Sequence, residues 1–203
     1  MINLKRSALV MATLILCVTA AAHAVTIIDK PPGEPGNAFF PTVADAWSPN
    51  ARFLLKNVDT PNNPDSPHSI YLTDMKTGVR TVLYSYARRA EILWSPASDV
   101  VAINDFDAHD DSQCFVFPLL PHRERIDVRE ELLKSRRPDS EKRLVTDRYR
   151  YAHNYAHAIR WIDARTLLFV VEGHSSSRAH EGFRLDYAYR VGDGFRLLSR
   201  TMD

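Results

Sequence analysis

Three tryptophans punctuate this chain, and each opens the same local pattern. Trp47-Ser48-Pro49 is followed by Phe53-Leu54-Leu55, Trp94-Ser95-Pro96 by Val100-Val101-Ala102-Ile103, and Trp161 by Leu167-Leu168-Phe169-Val170. In every case the apolar run starts six residues after the indole. Six residues is a strand end, a tight turn and a re-entry, so each tryptophan is expected to open a β-hairpin. The tryptophans lie 47 and 67 residues apart, and the second interval is longer by about the size of one charged segment. Periods of ~40–50 residues in a strand-rich chain point to propeller blades or similar arrays.

The remaining sequence supports an all-β reading. Short apolar runs rich in β-branched and aromatic residues mark strands at Arg52–Asn57, Ser69–Asp74, Arg80–Tyr86, Glu91–Trp94, Val100–Asn104, Cys114–Pro118, Ala158–Ile162, Leu167–Glu172, Phe183–Arg190 and Phe195–Ser199. Between them stand turn residues: Ser48-Pro49-Asn50, Lys76-Thr77-Gly78, Ser95-Pro96-Ala97 and Gly192-Asp193-Gly194. Asp59 to Pro67 holds three prolines and reads as a surface loop. The charged segment Arg125–Arg137 breaks the pattern. Asp127 suits an N-cap, with Glu130 as its capping-box partner, Leu132 and Leu133 as a narrow apolar side, and Pro138 as a stop. It reads as a short exposed helix inserted between strands. The expected organisation is a leader at 1–24, an extended lead-in at 25–45 with a short strand at Val25–Ile28, and one domain at 46–203 with a helical insertion near 125–137.

The repeated phrase resembles the blades of TolB-type β-propellers, whose repeat runs W-S-P-D-G, then a strand, then a strand ending in D-x-x-T-G. Trp47-Ser48-Pro49 and Trp94-Ser95-Pro96 match the opening, and Ile70 through Gly78 matches the closing hairpin. Asn50-Ala51 and Ala97-Ser98 replace the Asp-Gly pair, and the third unit has Ile162-Asp163 where Ser-Pro would stand. The likeness covers Ala46 to Phe117 clearly and Ala158 to Ser199 weakly. It implies an antiparallel meander of hairpins, an incomplete or minimal propeller of three to four blade-like sheets, and it carries no catalytic residue. In such a blade the aromatic fills the space between adjacent sheets, so all three tryptophans are expected in the core.

Compartment and partners follow from the first 24 residues and the charge balance. Lys5 and Arg6 precede an 11-residue apolar run, Ala8 to Val18, and Ala22-His23-Ala24 has the small residues of a signal-peptidase site. Eleven apolar residues fall short of the ~20 that cross a bilayer. Leu16 before Cys17 argues against lipidation. The exported chain is expected to start at Val25, in the periplasm or outside the cell, with no membrane span. Only Cys114 then remains, in an apolar run that suits a buried thiol and offers no internal disulfide. Lys+Arg 26 against Asp+Glu 25 leaves no field to favour nucleic acid or an anionic membrane.

Four places hold candidate chemistry. Asp105-Phe106-Asp107-Ala108-His109-Asp110-Asp111 is the densest polar cluster, and Asp105, Asp107, His109 and Asp111 are candidate ligands for a hard or borderline cation. The glycine and distal glutamate of a calcium loop are missing, and a solvated hairpin loop is the plainer reading. His153 and His157 share a face on either a helix or a strand, but a third ligand cannot be named. Gly173-His174-Ser175-Ser176-Ser177 approaches a nucleophile elbow without its last glycine. Tyr149, Arg150, Tyr151 and Arg160 interleave base and aromatic ring, and are candidates for stacking on an anionic or glycan ligand.

No catalytic constellation is complete and no motif asks for a cofactor. The sequence therefore reads as a secreted or periplasmic, non-catalytic binding module with protein partners in the envelope. Two alternatives stand beside it: a periplasmic metal-dependent enzyme using the Asp105–Asp111 loop, and an envelope accessory subunit completed by a partner. The leader is directly testable. N-terminal sequencing of the exported protein should begin at Val25, and a product that keeps Met1 in the membrane fraction would refute it.

Overall fold

The computed structural model describes residues 38–59, 68–107, 111–120, 124–147, 150–176 and 181–202. The leader and its cleavage position, the Val25–Ile28 strand, most of the Asp59–Pro67 loop, His109 and Tyr149 lie outside them.

The strands form three antiparallel units. The first is a four-stranded meander of β2 (Asp45–Trp47), β3 (Phe53–Asp59), β4 (His68–Asp74) and β5 (Arg80–Tyr86). The second holds β6 (Ala90–Trp94), β7 (Val100–Asp105) and β8 (Asp111–Pro118), with β1 (Ala38–Phe40) beside β6 and the two-residue β9 (Ile126–Asp127) beside β8. The third is a meander of β10 (His153–Trp161), β11 (Thr166–His174), β12 (Gly182–Arg190) and β13 (Gly194–Met202). Two parallel pairs, Asn154 with Asp111 and Tyr155 with Ser112, join β10 to β8. The architecture is all-β, antiparallel and propeller-like.

The units stack face to face, with the second in the middle. Val101, Ile103, Phe115 and Phe117 on one face of the second unit pack with Phe53, Leu55, Ile70 and Tyr86 of the first and with Phe40 of β1. Val100, Ala102, Cys114 and Val116 on the other face pack with Ala156, Phe169, Leu185 and Tyr187 of the third. All six residues of β7 are buried for this reason. Its apolar run without alternation is the mark of a strand covered on both sides.

The tryptophan phrase works as a junction. Trp47, Trp94 and Trp161 are the last residues of β2, β6 and β10, and the following strands begin at Phe53, Val100 and Thr166. The Trp94 indole donates to the Ala46 carbonyl at 3.3 Å and stacks against Phe53, with 6.3 Å between ring centroids. Trp161 donates to the Leu93 carbonyl at 3.0 Å. Each indole thus reaches the residue just before the tryptophan of the preceding unit. Trp47 differs from the expected core position, because it is 41% exposed. Its ring lies on the face of the first unit turned away from the second.

The turns adopt a left-handed backbone at the position where the W-S-P-D-G phrase would place its glycine. Ala51 and Ser98 sit four residues after their tryptophans with φ of +56° and +63°. Ser48 Oγ accepts from the Phe53 amide in the first turn, and Ser98 Oγ accepts from the Asn50 amide, linking the first turn to the second. Arg165 continues the series by donating to Asp99 at 2.6 Å.

The insertion is larger than one exposed helix. It contains α1 (Val128–Lys134) and α2 (Asp139–Thr146). Asp127 caps α1 as expected, accepting from the Glu130 amide. The Glu130 carboxylate pairs with Lys134 one turn on instead of closing a capping box. Pro138 does not end the insertion but occupies the N-cap of α2, where a missing amide proton costs nothing. Val128, Leu132 and Val145 are buried in the core shared with the third unit. The lead-in also contributes more than an extended tail, since Phe40 and Val43 are buried against the first and second units.

The left-handed backbone of exposed Ala51 is unfavourable for any residue with a Cβ. Ala51→Gly should therefore raise the unfolding free energy by about 0.5–1 kcal/mol, read as a higher urea midpoint at unchanged slope. An unchanged or lower midpoint would show that the turn carries no such strain.

Candidate functional site

The outward face of the third unit gathers polar and aromatic side chains from four strands. On β10, His153, Tyr155 and His157 alternate with buried Asn154 and Ala156, so all three project from one face. Register places His153 opposite His174, Tyr155 opposite Glu172, and Glu172 opposite Arg184. Asp186 and Ser199 continue the face on β12 and β13.

These groups hold one another in place. The His153 and His174 rings stack at 4.3 Å, with planes 9° apart, and Tyr155 lies 6.1 Å from His174. Arg184 donates to Glu172 at 3.1 Å and to Asp186 at 2.9 Å. Asp186 also accepts from the Ser199 hydroxyl. Burial pushes the His157 imidazole below its ordinary range, with Glu172 pulling it back and Arg184 pushing it further down. His157 Nδ1 is buried without a hydrogen-bond partner. Gly173 makes the close approach of β12 possible, since a Cβ there would sit 2.5 Å from the Phe183 ring. Chemically, the face offers two stacked imidazoles, a phenol and an alternating row of charges on a rigid sheet.

The other candidates from the sequence separate in space. Asp105 is 7% exposed and accepts a hydrogen bond from Tyr84 of β5, across the seam between the first and second units. Its second oxygen is buried without a hydrogen-bond partner. Burial raises its pKa to about 6, offset in part by the Tyr84 hydrogen bond, while the Asp107 charge pushes the same way as burial. Asp107 is exposed. Asp111 accepts from Arg129 of α1 at 3.0 Å, and the same guanidinium reaches the Asn154 carbonyl and side chain. Asp105 and Asp111 therefore serve different contacts. No group of three or more His, Cys, Asp or Glu side chains among the described residues is placed to hold a metal ion.

The stacking candidates divide in the same way. Arg150 is exposed beside Glu181 at 3.6 Å. Arg160 is exposed on β10. Tyr151, expected as a stacking surface, is 1% exposed and packs edge-on against Phe183 in the core, so it cannot meet a ligand. Gly173 and His174 lie in strand β11 and not in a turn, which removes the nucleophile-elbow geometry. Burial drives the Cys114 thiol well above its ordinary range, which leaves it a small apolar side chain.

Sequence reading found His153 and His157 but missed Tyr155, Glu172, His174, Arg184 and Asp186 as their neighbours. The available signal was the period-two alternation from His153 onward, which extends β10 five residues upstream of the expected Ala158 start.

No protein-family model and no curated protein sequence matches the chain. Solved structures with similar strand arrangements include TolB from Acinetobacter baumannii, at 16% identity and a TM-score of 0.39, over 82% of this chain and 32% of that one. A structure from a study of two prolyl endopeptidases has 14% identity and a TM-score of 0.45, over 82% of this chain and 22% of that one. A protein described as TolB from Agrobacterium tumefaciens has 12% identity and a TM-score of 0.39, over 79% of this chain and 50% of that one. The chain spans half or less of the length of each. No described helix is long and apolar enough to cross a membrane.

Asp105 gives a pH test. Its folded pKa of about 6 lies above the ordinary 3.8, so the folded state holds the proton more tightly than the unfolded one. The cost of ionising it is absent below about pH 4 and complete above about pH 7. The stability of the parent minus that of Asp105→Asn should fall by on the order of 2 kcal/mol across that window. Urea unfolding at pH 4, 5, 6 and 7 reads it, and parallel curves would assign Asp105 an ordinary carboxyl.

Proposed function

We propose that this protein is an exported, non-catalytic, propeller-like binding module of the cell envelope, and that it recognises a protein partner through the outward face of β10–β13. The observation that carries the reading is the interlocked row of His153, His174, Tyr155, Glu172, Arg184 and Asp186 on that face. Tyrosine and arginine are the residues that most often anchor protein interfaces, and here neighbouring side chains already hold them. A surface ordered before binding loses little conformational entropy when a partner arrives. Export rests on Lys5, Arg6, the apolar run Ala8–Val18 and Ala22-His23-Ala24. The cluster around Asp105 supports the metal-enzyme alternative less well, because Tyr84 and Arg129 draw its carboxylates into separate contacts.

The test is affinity capture from an envelope fraction with the exported chain as bait, run beside Tyr155→Ala/Arg184→Ala. Both positions lie at the sheet surface, so the variant should keep the parent circular dichroism and unfolding midpoint within about 0.5 kcal/mol. Partner recovery should fall by tenfold or more. Equal recovery by bait and variant would remove this face from the proposed function.

A further inference from the structure

The contact between successive units has a direction, and among the described residues it is seen from the second unit to the first and from the third to the second. Trp94 of the second unit donates to the Ala46 carbonyl of the first. Trp161 of the third unit donates to the Leu93 carbonyl of the second. Ala46 and Leu93 hold equivalent positions, each directly before a tryptophan. The matching position in the third unit is Arg160, before Trp161, at the end of β10 on the outward face. The matching donor in the first unit is Trp47. Trp47 is 41% exposed, and among the described residues the indole donors to a carbonyl are Trp94 and Trp161.

We infer that the occupant of the outward face of the third unit is a second copy of this chain, docked by its first unit, with its Trp47 indole donating to the Arg160 carbonyl. This rests on the proposed binding role of that face and names its partner. At both observed junctions the donor is a tryptophan at the end of a strand, and the first unit of this same chain carries the matching Trp47. The two surfaces are different patches of one molecule, so the contact is head-to-tail. It closes as a ring when each copy both gives and receives an indole. The facing surfaces suit a separable contact better than a fused core. Trp47, Leu54, Lys56, Tyr71 and Val82 lie on the side of the first unit away from the second, while Leu168 lies beside Arg160 and Ala188 on the third. Such a mixture of apolar and charged groups is typical of interfaces between separately folded chains.

The test is the molar mass of the exported chain by sedimentation across a wide concentration range. The expected result is a mass of two chains, or of a larger closed ring, that falls to one chain on dilution. Two variants probe the two faces. Trp47→Phe keeps an aromatic ring and removes the donor, and Leu168→Glu places a charge on the receiving face. Both residues are at least partly exposed, so both variants should fold, as circular dichroism will show. Each should raise the dissociation constant by about tenfold or more, as loss of one hydrogen bond or burial of one charge predicts. A single-chain mass at every concentration, or an assembly unchanged by either variant, would overturn the head-to-tail contact. Capture of an envelope protein that depends on Tyr155 and Arg184 would then still support the binding role. A monomer that captures nothing through that face would end both.

Discussion

The middle unit is covered on both faces, and the rest of the structure follows from that constraint. A sheet whose strands read Val100-Val101-Ala102-Ile103 and Cys114-Phe115-Val116-Phe117 cannot leave either side in water without losing about 25 cal/mol for each Å² of apolar surface uncovered. It therefore needs a sheet on each side. Asn104 shows how the stack is fixed in register. It is a fully buried amide in the central strand, a position that is costly unless every polar atom is paired. Its amide nitrogen donates to the Ala158 carbonyl and to Glu91, and its oxygen accepts from the Ala158 amide. The side chain so acts as a peptide group between β7 and β10, and only one placement of the third unit satisfies it.

The junctions were legible because their chemistry is local. A tryptophan, a serine that bonds its own turn and a strand six residues on can be read from one short stretch of sequence. Ala51 and Ser98 adopt the left-handed backbone although neither is glycine, so the position of the phrase outweighs local preference there. The exposure of Trp47 was not legible, because whether an indole is buried depends on a unit that precedes it in space. Pro138 was half legible: α1 ends before it, as a stop predicts, and the missed feature is α2, which starts directly after it. Proline is incompatible with a helix interior and well suited to a helix start, so one proline can end one helix and begin the next.

The candidate face was half legible. His153 and His157 announced themselves as a spaced pair, but the groups that organise them come from other strands. Glu172 and Arg184 are twelve residues apart and meet only because β11 and β12 pair in that register. Polar alternation from His153 to His157 hides a strand from a reader looking for apolar runs, and for the same reason Tyr151, two residues earlier, looked like surface. It is core because Phe183 lies beside it.

A strongly shifted carboxyl buried in a fold is often the sign of an active centre. In this chain Asp105 marks a seam instead. Its hydrogen-bond partner Tyr84 belongs to the neighbouring unit, and the phenol ring also packs back across the seam against Phe115 and Phe117 of Asp105's own unit. The carboxyl is 7% exposed, and its raised pKa comes mainly from burial. The outward face of the third unit has the opposite character. Its Glu172–Arg184–Asp186 row keeps its charges at the surface and balanced by one another. The first arrangement holds two sheets together, and the second presents a pre-ordered polar surface. The difference between a charge suppressed inside a seam and charges displayed on a sheet is why we propose recognition for the second and packing for the first.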